Sequence, residues 1–73
     1  MSPPYSMVIE WSDEDQAFIV SLPEFGPYAK THGPTYEEAV RMGREALESL
    51  IERYRADGQP LPAPAKYKDA VSA

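Results

Sequence analysis

The chain has 73 residues, a mass of 8.2 kDa, no cysteine and one histidine, His32, so disulfides, thiolate metal sites and thiol nucleophiles are excluded and nitrogen ligands for zinc are scarce. A domain this small buries only about 60% of its unfolded surface, which leaves self-association or a partner chain as added support. Twelve acids against seven bases give a net charge of −5 and a pI near 4.6, a balance that repels phosphate and attracts basic proteins.

Eight prolines divide the chain, and the two long proline-free stretches run from Tyr5 to Leu22 and from Thr35 to Gln59. Proline lacks a backbone donor and is kept out of helix interiors and central strands, so the ordered elements should lie between the prolines. In the first stretch Tyr5, Met7, Ile9 and Trp11 alternate with Ser6, Val8, Glu10 and Ser12. Phe18, Val20 and Leu22 then alternate with Ala17, Ile19 and Ser21. A period of two marks two strands, and the polar Asp13-Glu14-Asp15-Gln16 between them makes the pair a hairpin. Pro23-Glu24-Phe25-Gly26-Pro27 ends the second strand, and Tyr28 to His32 reads as a third.

Gly33-Pro34 breaks the chain before Thr35-Tyr36-Glu37-Glu38, a capping box in which Thr35 and Glu38 would serve each other's backbone N–H groups. Ala39, Gly43, Ala46, Leu47, Leu50 and Tyr54 then recur at spacings of three and four, with Val40 and Ile51 widening the stripe. Glu37 and Arg41 stand in the favourable i,i+4 order, and Gly58 followed by Pro60 suits a left-handed stop. The pattern predicts a helix over 35–57. Beyond it the run 58–64 should be an extended proline-rich exit, and 65–73 a tail or a short added strand. No repeat or second domain is expected, and 1–73 reads as one unit.

Four stretches together resemble the HicB-like antitoxin domain. They are Tyr5 to Trp11, Phe18 to Phe25, Gly33 to Ala39 and Gly58 to Pro64, so the resemblance spans residues 5–64. It implies an α+β, partial RNase H-like β-β-β-α(-β) fold, with an antiparallel sheet and one helix across one face. It also implies a non-catalytic antitoxin that covers the active surface of a small basic HicA-like toxin, which cleaves messenger RNA. Many such antitoxins carry a further DNA-binding segment, and this chain ends about where that segment would begin. Residues 1–34 hold one base and five acids, 35–57 four and six, and 58–73 two and one, so direct DNA binding is not expected.

An RNase H-like outline raises the question of nuclease chemistry, which needs carboxylates holding two Mg²⁺ ions about 4 Å apart. Of the sheet acids Glu10, Asp13, Glu14, Asp15 and Glu24, three sit in a hairpin tip and read as a solvated turn. His32 has no serine, cysteine or second histidine placed to make it a general base. Tyr28, Tyr36, Tyr54 and Tyr67 read as core-edge and interface residues, because no lysine or arginine interleaves with them. No cofactor or metal is implied.

Two surfaces are expected to matter. The toxin contact is assigned to Trp11 with Asp13, Glu14 and Asp15, joined by Pro60 and Pro62 of the exit. A homo-oligomer is expected through the sheet face away from the helix, where Val8, Ile19, Ala17 and Ala29 would leave apolar surface, or through an edge strand. The alternative function is a stand-alone oligomerising scaffold with no toxin. No apolar run approaches a membrane span and Met-Ser-Pro-Pro lacks a secretory core, so the expected location is cytoplasmic.

Overall fold

The computed structural model describes residues 4–67. Three strands, β1 (Val8–Ser12), β2 (Ala17–Ser21) and β3 (Lys30–Gly33), form an antiparallel sheet in that order, and the helix α1 (Tyr36–Ala56) follows. The architecture is α+β with β-β-β-α order, as expected. Among the described residues the exit after α1 has neither helix nor strand pairing, and residues 68–73 of the expected tail or strand lie outside them.

The hairpin register follows from the alternation. Ile9 faces Val20 and Trp11 faces Phe18 on one side of the sheet, while Glu10 faces Ile19 on the other. The four-residue tip closes with Gln16 in the left-handed region, at φ 51°. The third strand begins two residues later than expected. A 3-10 turn over Pro23–Phe25 is followed by a loop that the Leu22 N–H closes by donating to the Ala29 carbonyl at 2.9 Å, so Tyr28 and Ala29 belong to the loop.

The helix boundaries are set locally. Thr35 Oγ1 accepts from the Glu38 N–H at 3.1 Å. The reciprocal half of the capping box gives way to a different contact, because the Glu38 carboxylate turns to Arg41, 2.6 Å away. Arg41 also pairs with Glu45 at 2.8 Å, so its helical partners are Glu38 and Glu45 where the sequence pointed to Glu37. At the other end Gly58 adopts φ +69°, with its N–H on the Arg55 carbonyl and the Gln59 N–H on the Tyr54 carbonyl. That pair of bonds is a Schellman stop, which relieves the orphan carbonyls of the last turn.

The core lies between α1 and the strands β2 and β3. Val20 and Leu22 meet Ala39, Leu47 and Ile51, all buried, with Tyr5, Met7, Ile9, Phe18, Phe25, Ala29, Ala46 and Leu50 packed around them. Small residues press the first half of the helix onto the sheet. A Cβ on Gly33 would stand 2.6 Å from the Ala39 backbone nitrogen, and one on Gly43 would stand 3.0 Å from Val20 Cγ1. The second half buries the larger Leu47 and Ile51.

The uncovered face differs in one respect from expectation. Val8 and Ile19 lie on it, and alternation puts Ala17 there as well. Ala29 does not, because it packs against the helix-side core from the loop before β3. The rest of that face is polar, with Glu10, Ser12, Ser21, Lys30 and His32.

Candidate functional site

Two aromatic clusters stand at opposite ends of the sheet. At the start of β1, the Tyr5 ring meets Phe25 edge-on at 4.9 Å, and Phe25 meets Tyr54 at 5.4 Å. The proline-rich exit folds over this cluster: the Tyr5 hydroxyl donates to the Pro62 carbonyl at 2.7 Å. Glu24 fastens the same exit. Its carboxylate accepts from the Ser6 N–H at 3.1 Å, the Ser6 hydroxyl at 2.9 Å and the Ala65 N–H at 2.9 Å. Partial burial alone would raise the Glu24 pKa. The hydrogen bonds from Ala65, its own backbone and Ser6 together outweigh that and hold it below its ordinary value.

The second cluster is at the hairpin end. Phe18 stacks on Tyr36 with centroids 4.1 Å apart and planes 29° from parallel, and Trp11 meets Phe18 edge-on at 5.0 Å. Gly33 is the reason Tyr36 reaches Phe18. Gly33 pairs with Phe18 in the sheet, and its missing Cβ lets the first turn of α1 settle over it. Nothing comparable to the exit lies over these rings among the described residues: Trp11 is 48% and Tyr36 61% exposed.

The hairpin acids are engaged locally. The Trp11 indole N–H donates to Asp13 Oδ1 at 2.8 Å, which fixes the ring and sets a carboxylate beside it. The Ser12 hydroxyl lies 3.1 Å from Asp15 Oδ2, and the Gln16 amide donates to the Asp13 carbonyl at 2.6 Å. Asp13, Glu14 and Asp15 are all exposed. Among the described residues, no three His, Asp or Glu side chains gather as metal ligands would.

The residues assigned to a toxin contact thus fall into two groups. Trp11, Asp13, Glu14 and Asp15 come together at the hairpin end. Pro60 and Pro62 lie with the exit, toward the Tyr5 end, and Pro62 is half-buried through its tie to Tyr5. Tyr36 joins Trp11 through Phe18, a link that the capping-box reading of Thr35 to Glu38 did not contain. Glu24 went unnoticed as a fastener, because its partners Ser6 and Ala65 are far away in sequence and only the fold brings them together. Of the remaining tyrosines, Tyr54 lies at the core edge, while Tyr28 and Tyr67 are almost fully exposed.

No family model matches the chain. Among curated proteins it is similar to Antitoxin HicB 1 of Photorhabdus laumondii, with 39% identity over 51 residues that make up 70% of this chain and 32% of that antitoxin. The chain therefore spans about a third of the length of the curated relative it matches. The similarity supports a HicB-like antitoxin relationship. No helix among the described residues is long and apolar enough to cross a membrane.

Proposed function

We propose that the chain is a non-catalytic antitoxin module that neutralises a small basic, HicA-like, mRNA-cleaving toxin by covering its active surface. The observation that carries this reading is the similarity to Antitoxin HicB 1 over 70% of the chain. Its acidity supports the same reading, since a net charge of −5 steers a basic chain toward it and keeps nucleic acid away. The hairpin end, with Trp11 exposed beside Asp13, Glu14 and Asp15, is the surface offered to the toxin. Of the exit prolines, Pro62 is occupied in the tie to Tyr5 and Pro60 stands exposed, and the two take a minor part.

A second copy of the chain packs on the uncovered sheet face around Val8 and Ile19, giving a homo-oligomer that works in the cytoplasm. Ala29, half-buried on the helix side, takes no part. The chain does not bind DNA directly.

The test is co-expression with a small basic open reading frame adjacent to this chain's gene. Growth arrest by its product should be relieved by the chain, and the double variant Asp13→Lys/Asp15→Lys should relieve it less. Arrest unchanged by the chain would refute the function, and full relief by the double variant would remove the hairpin from the contact.

A further inference from the structure

We propose that the Trp11–Phe18–Tyr36 shelf is an anchor for an arginine side chain of the basic partner, with the guanidinium against the rings and paired to Asp13. The proposal rests on the reading of the chain as a module for a basic protein, and it names the contact.

The two aromatic clusters differ in what covers them. Each has three rings and each ends a sheet-and-helix layer. One is covered by the chain's own exit, through Tyr5 and Pro62. The other is left with two half-exposed rings that are nonetheless held in place. Trp11 is fixed by its hydrogen bond to Asp13, and Tyr36 by stacking on Phe18, whose strand partner Gly33 admits the helix. Rings already held in one geometry lose little freedom on binding, which is the property of an interface anchor.

Charge decides the occupant. A ring face carries negative potential and attracts a cation, and the Asp13 carboxylate stands beside the indole. One indole N–H does not exhaust a carboxylate, which has two oxygens and about four acceptor sites. The ion pairs among the described residues are those of Arg41 with Glu38 and Glu45, so Asp13 has no cation of its own there. Residues 1–34 hold five acids and one base, which places the shelf in the more acidic part of the chain. Arginine fits better than lysine, because its planar guanidinium stacks on rings and still pairs with a carboxylate through its fork of N–H groups.

Trp11 is the single tryptophan of the chain and reports on its own environment. The full chain is titrated with a peptide of alternating glycine and arginine, and with its lysine counterpart, while Trp11 emission is followed. The arginine peptide should shift the emission and bind severalfold more tightly than the lysine peptide. Tyr36→Ala, which removes an exposed ring, and Asp13→Asn, which keeps an acceptor for the indole but no charge, should each weaken it about threefold to tenfold. Circular dichroism checks that both variants keep the helix. Equal binding of the two peptides, or arginine binding unchanged by both folded variants, would overturn the proposal. The same variants in the co-expression assay separate the two readings. Toxin relief that both variants leave intact overturns the shelf while the antitoxin function stands. Arginine binding at the shelf without toxin relief refutes the function and leaves the shelf.

Discussion

Glu24 shows how much one side chain can hold. It ties Ser6 at the entrance to β1 and Ala65 beyond the helix to one carboxylate. Because the folded pKa lies below the ordinary value near 4.5, the tie stabilises the protein above that pH and is lost as pH falls through the lowered folded value. Urea melts should show stability falling below about pH 4.5, with Glu24→Gln costing about 1–2 kcal/mol at neutral pH and flattening that fall. Gly33 acts by absence. Gly33→Ala would drive a methyl into the Ala39 backbone, and overpacking of this kind costs about 1–3 kcal/mol. At about 4–8 °C per kcal/mol for a domain of this size, its thermal midpoint should drop clearly, and the change should loosen the Phe18–Tyr36 stack. Neither role was legible in the sequence. Glu24 looked like one member of a turn and Gly33 like half of a break, and both depend on contacts that exist only once distant elements meet.

At the scale of elements the sequence was far more informative, because strands and helices obey local periods. The alternation from Tyr5 to Leu22 set the register in which Trp11 faces Phe18. The Thr35 cap and the Gly58 stop bound the helix where predicted. Thr35→Ala should cost about 1 kcal/mol in a urea melt, as loss of an N-cap does, while Glu37→Gln should cost less than half of that because Arg41 pairs elsewhere. What the patterns misjudged was competition and geometry. Glu38 had two possible partners and took Arg41, a strongly donating side chain one turn ahead. The third strand began late because the loop closed between Leu22 and Ala29 turned Ala29 inward, removing it from the face assigned to self-association.

At the scale of the molecule, acidic charge and a small core accord with the proposed basic partner and the proposed second copy. A core cluster of five buried side chains among the described residues leaves little reserve, given a typical stability of about 0.05–0.15 kcal/mol per residue. The oligomer proposed on the Val8 and Ile19 face should give light-scattering masses at or above twice 8.2 kDa at micromolar concentration, and Ile19→Lys should return the chain to one copy. A single-copy mass for the unaltered chain would remove that interface.

The central claim, neutralisation of a basic RNA-cleaving protein, is tested most directly with purified components. A candidate toxin, a small basic HicA-like protein sought beside this chain's gene, is incubated with messenger RNA while the chain is added in increasing amounts. The account predicts that cleavage declines with each addition and stops at a fixed molar ratio, with relief weakened as salt rises. Cleavage that continues undiminished in excess chain would contradict it.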